Sequence, residues 1–526
     1  MTFDSKAVAT GSDETVLAGS SAMTGVIRRT REHDEQATAT TRRAAAAAGG
    51  TPWTPSVRWA LASLSLSMLL SSLGTSSANV GLPTIAQAFA ASFQEVQWVV
   101  LAYLLAITTL VVGAGRLGDI TGRRRLLLAG VFLFTAASVL CSVAPTLGLL
   151  IAARAVQGLG AAIMMALTMA LVGETVPKEQ TGRAMGVLGT MSAIGTALGP
   201  SLGGVLIAGL GWRSIFFANV PLGLLTFVLA HRYLPVDRQA KAGRAGFDPL
   251  GTALLALTLA AYALAMTIGR GRFGAINVAL LIVAVIGVGG FALAETRATS
   301  PLVGLAMLRN PVLRAGVVTS TLVTTVVMAT LVVGPFYLSG ALALDAARVG
   351  IVMSSGPIVA ALMGVPAGRM VDRYGAHRTS IVGLVAMAVG ASSLPMLPTR
   401  FGVPGYVVPL AVVTAGYALF QAANNTGVMT SVRPDQRGVV SGLLNLARNI
   451  GLVTGASVMG TVFALGSATT DIVTAHPEAV AAGMRITFAV AAGLVVVALA
   501  IASVRDAFSR RAVASCCEQA DRRGRG

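Results

Sequence analysis

The chain has little charge for its length. Asp, Glu, Lys and Arg make up 11% of its 526 residues, whereas hydrophobic residues make up 55%. A soluble protein carries about 25% charged residues, so an ordinary soluble fold is excluded. Three cysteines, Cys141, Cys516 and Cys517, are too few for a disulfide framework. The sequence has no Walker loop and its four histidines form no metal pair, so we expect no ATP-driven step, metal, cofactor or enzymatic activity.

Long apolar stretches recur along most of the chain, which is the pattern of transmembrane helices. The predicted fold is therefore an all-α polytopic membrane protein with fourteen spans. The predicted spans are 57–80, 97–116, 126–144, 147–172, 184–208, 213–234, 249–268, 275–295, 313–338, 347–368, 379–397, 405–430, 438–466 and 483–504. An even number of spans places both termini on the same side of the bilayer.

The distribution of positive charge indicates which side that is. The net charge is +18, yet 31 of the 39 Lys and Arg residues lie in the two tails, in the loops after even-numbered spans and at the span ends next to them. The loops after odd-numbered spans, with the span ends next to them, hold only six. Under the positive-inside rule, both termini are expected to be cytoplasmic. The membrane is expected to be a plasma membrane. The charge is therefore explained by topology, and we expect the lipid bilayer, not nucleic acid, as the partner.

The predicted spans divide into two groups of six with a central pair. The predicted boundaries are a tail at 1–56, a half at 57–234, a linker and central pair at 235–312, a half at 313–504 and a tail at 505–526. The first tail is polar and lacks helical periodicity, which predicts a disordered cytoplasmic segment. Its first apolar stretch begins too far along the chain for a secretory signal.

A short basic motif occurs twice. GRLGDITGRRR begins at Gly115, and GRMVDRYGAHR begins at Gly368, 253 residues later. A second pair, VPKEQTGRAMG and VRPDQRGVVSG, repeats after 256 residues. The register of the second pair holds through Gly195 and Gly451, and through Gly199 and Gly455. An internal repeat between apolar spans predicts a two-halved transporter with its site between the halves.

These motifs resemble the major facilitator superfamily, and within it the fourteen-span drug:proton antiporter family. Span four carries RAVQGLGAA from Arg154, span five carries GPSLGG from Gly199, and GWRSIFFANVPLG follows from Gly211. The resemblance covers about residues 57–505. It implies alternating access and proton-coupled efflux of small amphipathic compounds of the multidrug type, by a protein that we expect to be a monomer.

The resemblance implies a role for the repeated motif. The residues concerned are Gly115, Arg116, Asp119, Gly122 and Arg123, with Arg369, Asp372 and Arg378 in the second copy. In the family this loop latches the two halves in the outward-facing state. From the residues alone, the glycines allow a tight turn, and Asp119 can pair with Arg116 or with the end of a neighbouring helix. A simple topology anchor is the alternative.

The glycines of span five form the second motif. Its residues are Gly186, Gly195, Gly199, Pro200, Gly203 and Gly204. Glycines at i, i+4 and i+8 share one helical face and let a neighbouring helix approach closely, and Pro200 predicts a kink. The resemblance implies a bend that seals the cavity against proton leak. Ordinary packing of small residues is the alternative.

Two arginines, Arg154 and Arg448, lie within predicted spans and away from the span ends. Arg154 costs at least about 2.5 kcal/mol to insert, so it needs a partner or water. The resemblance implies that Arg154, with Gln157 one turn along, takes part in proton coupling. The alternative is a structural arginine bound by backbone carbonyls. Arg448 shares a helical face with Asn445 and Asn449, which predicts a cavity lining.

The chain departs from the family in span one. The segment LGTSSANVGLP has Gly74 where the family has an aspartate, and no Asp or Glu lies near the middle of any predicted span. A proton carrier would therefore be an end-of-span carboxylate such as Glu95 or Glu174, or a group that the sequence does not identify. A cationic drug would meet Arg154 and Arg448 but no buried anion, which favours a neutral or anionic substrate.

The remaining candidates for a substrate cavity are polar residues within spans. They are Asn79, Tyr103, Asn219, Tyr337, Gln421, Asn424, Asn425, Asn445, Arg448 and Asn449. Asparagine is costly in lipid, so each faces water or a partner, and any of them can instead bridge two helices. Two alternatives to multidrug efflux stay open: an exporter or facilitator of a neutral or anionic metabolite, and a non-transporting membrane sensor.

Overall fold

The structure is a computed structural model. It describes residues 54–176, 180–236, 248–268, 274–298, 307, 309–396, 401–432, 437–468 and 475–524. All but the last few residues of the predicted N-terminal tail, and most of the predicted linker after the sixth span, lie outside these ranges.

Fourteen helices in the described ranges are long and apolar enough to cross a membrane, which confirms the predicted fold. They are α1 (Pro55–Ala88), α2 (Phe93–Thr121), α3 (Arg123–Val143), α4 (Leu147–Thr175), α5 (Thr181–Leu210), α6 (Ser214–Tyr233), α7 (Pro249–Thr267), α8 (Ala275–Arg297), α9 (Pro311–Ala341), α10 (Ala346–Tyr374), α11 (Ala376–Met396), α12 (Gly402–Thr430), α13 (Val440–Gly466) and α14 (Pro477–Ser503). The backbone of α14 continues as a helix to Gly524.

The basic motif differs from its predicted form as a loop. α2 runs through the motif to Thr121, and only Gly122, with a φ of 99°, interrupts the helix before α3 begins. In the second copy, α10 runs to Tyr374, and Gly375 has a φ of 83°. Both glycines occupy a region of backbone conformation that other residues rarely adopt. Each motif is therefore a pair of helix ends joined at one glycine.

Helix α1 extends further along the chain than the sequence predicted. The predicted span stops at residue 80, whereas α1 continues through Pro83 to Ala88. Leu82 and Ile85 are fully buried, so the extra turns are held by tertiary contacts. A proline inside a membrane helix is tolerated where neighbouring helices surround it.

Two groups of helices make up the bundle. In the first, α1 packs on α5, α6 and α4, while α4 also packs on α2 and α3. In the second, α12 packs on α10 and α11, α11 and α9 pack on α14, and α9 packs on α13. The groups meet where α5 packs on α10 and α2 packs on α13. α7 packs on α2 and α13, and α8 packs chiefly on α7.

The repeat in the sequence is also a repeat in packing. A Cβ on Gly195 would lie 2.6 Å from the carbonyl oxygen of Leu69, where α5 crosses α1. A Cβ on Gly451 would lie 2.5 Å from the carbonyl oxygen of Thr321, where α13 crosses α9. The aligned glycines therefore have the same role, which is to let two helices approach backbone to backbone.

The two ends of the bundle differ. We call the end with Gly122 and Gly375 the basic end, and the opposite end the far end. At the far end, the Phe93 ring contacts the Phe336 and Phe463 rings at centroid distances of 4.7 and 5.3 Å.

Glycines on the helices where the two groups face each other also differ between the two ends of the bundle. A Cβ on Gly204 of α5 would lie 2.5 Å from the carbonyl oxygen of Ala346 of α10 at the far end. Towards the basic end, a Cβ on Gly186 of α5, Gly364 of α10 or Gly442 of α13 would meet no atom within 4 Å. In its described part, the bundle is closed at the far end, whereas these three glycines border open space towards the basic end.

Candidate coupling site and transport path

Arg154 lies about two turns into α4 and is fully buried. Its Nε donates a hydrogen bond to the carbonyl oxygen of Val99 at 2.8 Å, and its Nη1 donates to that of Gly74 at 3.1 Å. Among the described residues, its Nη2 has no hydrogen-bond partner and its guanidinium has no carboxylate partner. The charge is therefore held by backbone dipoles from α1 and α2, without a counter-ion.

Side chains complete a polar cluster around the guanidinium. Arg154 also donates to Oε1 of Gln157, whose Nε2 donates to Oγ of Ser138 at 2.7 Å. The Tyr103 ring lies 4.1 Å from the guanidinium carbon, a cation–π geometry. The Tyr103 hydroxyl donates to the Ser71 carbonyl at 2.9 Å. We call Arg154, Gln157, Ser138 and Tyr103 the Arg154 cluster, and it joins α2, α3 and α4.

Gly74 borders the same cluster. Its carbonyl accepts from Arg154, and a Cβ at this position would lie 3.1 Å from Cζ of Phe134 and 3.2 Å from Oη of Tyr103. The position at which the sequence lacks an aspartate therefore faces the Arg154 cluster. A carboxylate here would lie close to the guanidinium.

The second group of helices contains the same helix crossing. A Cβ on Gly160 of α4 would lie 2.8 Å from the carbonyl oxygen of Gly130 of α3. A Cβ on Gly416 of α12 would lie 2.6 Å from the carbonyl oxygen of Gly383 of α11. These paired contacts relate α3 to α11 by a shift of 253 residues and α4 to α12 by a shift of 256.

The second crossing has no polar cluster. The positions that correspond to Arg154, Gln157 and Ser138 are Leu410, Val413 and Ala391. All three are buried and belong to the apolar core. The position that corresponds to Tyr103 is Gly356, whose missing side chain would lie near Leu410. The same scaffold is thus polar in one half and apolar in the other.

The two predicted proton carriers lie at opposite ends of the bundle. Glu95 is exposed at the far end and forms a capping box with Ser92 at the start of α2. Glu174 lies at the basic end, 2.7 Å from Nη1 of Arg123. Both carboxylates have local partners, and neither reaches the Arg154 cluster.

Arg123 joins three helix ends at the basic end. It pairs with Asp119 at 2.8 Å and with Glu174 at 2.7 Å, so the contacts lie within the first group of helices. The side chain of Arg116, the partner predicted for Asp119, lies outside the described residues. In the second copy, Ala376 stands at the position of Arg123, and Asp372 has no cationic partner among the described residues. Arg369 and Arg378 are exposed.

The glycine motif of α5 contacts two different helices. Gly199 lies against Ser76 of α1, and a Cβ on Gly203 would lie 3.4 Å from the Ser77 carbonyl oxygen. Gly204, next to it, lies against Gly350 of α10, which also contacts the carbonyl of Pro200. The motif therefore joins the packing of α1 to the closure of the far end.

The predicted cavity residues fall into three sets. Asn79, Tyr103, Asn219 and Asn424 are buried. Asn424 donates to the Gly316 carbonyl at 3.2 Å and so bridges α12 and α9. Tyr337, Gln421 and Asn449 are half-buried, whereas Asn425, Asn445 and Arg448 are exposed.

Comparison with known proteins decides the family. The sequence profile of the Major Facilitator Superfamily matches residues 64–456. This chain belongs to the Major Facilitator Superfamily. The resemblance recognised in its motifs is confirmed, and so is the prediction of a secondary membrane transporter.

Curated relatives within the superfamily include exporters and a vitamin transporter. The chain is 32% identical over 389 residues to the multidrug resistance protein Stp of Mycobacterium tuberculosis, covering 73% of this chain and 72% of Stp. It is 29% identical over 411 residues to the riboflavin transporter RibZ of Clostridioides difficile, covering 77% of this chain and 88% of RibZ.

A solved structure shares the fold. A bacterial homologue of the human lysosomal transporter Spinster aligns with a TM-score of 0.64 at 15% identity, over 86% of this chain and 98% of that one. The two chains therefore have the same helical fold.

Sequence reasoning missed one buried polar residue of this superfamily member. Gln97 of α2 is 1% exposed at the far end, and neither Oε1 nor Nε2 has a hydrogen-bond partner in the described part of the chain. It lies against Gly460 of α13, across the meeting of the two groups. Its position as the first residue of the predicted span 97–116 was the sequence feature that could have identified it.

Proposed function

We propose that this protein exports small amphipathic molecules across the plasma membrane by alternating access, in exchange for protons. The likeness to Stp, named a multidrug resistance protein, supports efflux. The repeated helix crossings support alternating access, because two similar halves can rock about a site between them.

The observation that carries this proposal is the Arg154 cluster. The fold makes the corresponding crossing in the second half with Leu410 and Val413, so a buried cation is not needed to pack these helices. A buried charge is costly within a membrane and is typical of a functional site. The structural alternative, an arginine bound by carbonyls, describes how Arg154 is held but gives no reason for its presence.

Arg154 acts in this proposal as a fixed charge. A guanidinium keeps its proton, so Arg154 orients the groups around it instead of releasing a proton itself. Glu95 and Glu174 are weaker candidates for coupling, because a capping box and an ion pair already engage them. Gln157 connects the guanidinium to α3, so a movement of either helix changes the cluster.

Charge also favours a class of substrate. Arg154 is buried and Arg448 is exposed on α13, and no described carboxylate lies beside either. A cation entering between the halves would be repelled, whereas a neutral or anionic molecule would not. The likeness to a protein named as a riboflavin transporter supports the second candidate, an exporter of a neutral or anionic metabolite.

We infer the orientation from the positive-inside rule. The basic end and both termini face the cytoplasm, so the arrangement described here is open to the cytoplasm. When the basic end closes, the end of α2 approaches the second half and the end of α10 approaches the first. Asp119 on α2 and Asp372 on α10 then make contacts that hold the closed arrangement. The protein works as a monomer in the bilayer and is not an enzyme.

A proton-flux assay tests the proposal. Inverted vesicles are energised, and a pH dye follows the gradient while cationic, neutral and anionic compounds are added in turn. We expect neutral or anionic compounds to collapse the gradient, and Arg154→Leu to abolish the response. Arg213→Leu is the matched control, because Arg213 also contacts a carbonyl and an aromatic ring but lies at the far end.

The outcomes separate the candidate functions. Transport of compound without proton movement would replace antiport with facilitated export. No response and no transport of any compound would favour the non-transporting sensor and would contradict the proposal. A response limited to cations would contradict the substrate class that the charges favour.

A further inference from the structure

The central pair of helices, α7 and α8, belongs to neither of the two repeated halves, so the repeat does not indicate what this pair does. α7 lies against α2 of the first half and α13 of the second, whereas α8 lies chiefly against α7. α7 therefore contacts both halves where they meet.

Two hydrogen bonds fix the end of α7 to the far end of the bundle. Trp98 of α2 donates from Nε1 to Oγ1 of Thr267 at 3.1 Å. Thr461 of α13 donates from Oγ1 to the carbonyl oxygen of Met266. Adjacent residues of α7 thus bond to opposite halves of the transporter. One turn earlier in α7, the Tyr262 hydroxyl lies near the Thr454 side chain of α13.

These bonds flank the contact that closes the far end. Trp98 follows Gln97, and Thr461 follows Gly460, and Gln97 and Gly460 face each other across the two halves. The Gln97 amide is buried with both polar atoms unpartnered, which disfavours the closed arrangement at this point. The closed contact is therefore less stable at this point than its apolar packing alone would make it, and an interaction from α7 can offset this cost.

The other side of the far end provides the comparison. The repeat relates Gln97 to Gly350 and Gly460 to Gly204, and these two glycines pack closely without a buried amide. The residues that correspond to Trp98 and Thr461 are Ile351 and Val205, which are 62% and 56% exposed. The α5–α10 side thus presents apolar side chains where the α2–α13 side presents two donors to α7.

We propose that α7 is a strap that holds the far end closed on the α2–α13 side, and that it must release Trp98 or Thr461 before that end opens. This role goes beyond transport itself, because it assigns to the central pair control over the equilibrium between the two arrangements. Each bond that is removed shifts this equilibrium toward the arrangement open at the far end.

The test uses the accessibility of residue 97. In a Cys516→Ser/Cys517→Ser background, Gln97→Cys places a thiol that is buried while the far end is closed. In nanodiscs, its rate of reaction with a maleimide reports the fraction of molecules open at that end. Thr267→Val and Thr461→Val each remove, at nearly constant volume, one bond between α7 and a half, together with a bond to a carbonyl of the residue's own helix. A hydrogen bond stabilises a folded arrangement by about 1 kcal/mol net, which corresponds to about a five-fold change in the equilibrium. Each single variant should therefore accelerate labelling about five-fold, and the double variant about twenty-five-fold.

Thr487→Val is the matched control. Thr487 is equally buried and donates at 2.8 Å to the Gly483 carbonyl of its own helix, so its loss removes a hydroxyl without touching α7. Its labelling rate should stay within about two-fold of the parent rate, because a substitution that leaves the far-end contacts intact usually changes free energies by no more than about 0.5 kcal/mol. Equal rates in the strap variants and the parent, or equal acceleration in the control, would overturn the proposal.

A second variant guards against unfolding. Buried Cys141 should stay unreactive in every folded variant. If it reacts in the threonine variants, Trp98→Phe decides, because it keeps an aromatic six-membered ring and removes the N–H donor together with the five-membered ring. An unchanged rate there would overturn the proposal. Labelling rates that do not change while transport persists would reject the strap and leave the proposed export intact.

Discussion

The α3–α4 crossing and the α11–α12 crossing have the same glycine contacts and opposite interiors. In the first, Arg154 is bound to Gln157 and to two carbonyls; in the second, Leu410 and Val413 fill the corresponding space. Because one half folds without the polar residues, packing does not require them. The difference separates what the fold needs from what transport needs.

This asymmetry also places the buried charge of the two crossings in the first half only. The buried fixed cation Arg154 therefore belongs to the first half, whereas Arg448 of the second half is exposed. In a low-dielectric interior the field of such a charge is weakly screened, so it acts on a substrate across several ångströms.

The largest effect should follow from moving the charge to the other half. Leu410→Arg buries a guanidinium beside Val413 and Ala391, where the structure offers no polar cluster. We expect a loss of about 3–5 kcal/mol, the cost of an uncompensated buried charge, measured by denaturant unfolding in micelles. Leu410→Met keeps the volume and should cost less than about 1.5 kcal/mol. Equal stability of the two variants would mean that the second crossing also accommodates a cation.

A carboxylate at Gly74 should change the charge of accepted substrates. Gly74→Asp places an anion near Tyr103 and Arg154, which neutralises the cluster. We expect cationic compounds to gain at least ten-fold in transport rate relative to anionic ones, measured with the same compound panel.

Gly74→Asn is the control for the Gly74 substitution, because it makes the same steric contacts without the charge. Its preference among the compounds should equal that of the parent. A similar shift in both variants would attribute the change to shape and not to charge.

The smallest effect concerns the two copies of the basic motif. Asp119 pairs with Arg123, whereas Asp372 has no cationic partner among the described residues. Asp119→Asn should therefore lower the unfolding free energy by less than about 1 kcal/mol, as expected for an exposed pair, and Asp372→Asn should not change it. If Asp372→Asn is the more costly of the two, the second copy has a contact that the open arrangement does not contain.

Much of this fold follows from the sequence because its signals are local. Apolar length gives the fourteen helices, and repeated glycines give their crossings. The basic motif was predicted as a loop because glycine is common in turns, but Gly115 and Gly118 lie inside α2. Only Gly122 has the positive φ that glycine favours.

The site was harder to predict because its partners come from different helices. A single arginine in span four does not reveal that Val99 and Gly74 supply its acceptors, since backbone carbonyls carry no sequence signal. The sequence repeat alone also does not identify Leu410 as the residue that corresponds to Arg154. The residue offset between α4 and α12 becomes evident only from the matching contacts of Gly160 and Gly416.

The role of α7 was not evident from its composition. Its sequence is apolar apart from three threonines and Tyr262, which is typical of any lipid-embedded helix. Only the placement of Trp98 and Thr461 beside the far-end contact distinguishes α7 from a helix that simply lies in lipid.

The most direct test gives the first half the interior of the second. The variant Arg154→Leu/Gln157→Val/Ser138→Ala is purified once and divided between a thermal-unfolding measurement and a proton-flux assay in vesicles. We predict an unfolding temperature equal to or above that of the parent, since apolar replacement of buried charged groups is often neutral or stabilising. Substrate-driven proton flux should be lost. A variant that unfolds at a clearly lower temperature, or that still transports, would contradict the conclusion that the Arg154 cluster serves transport and not packing.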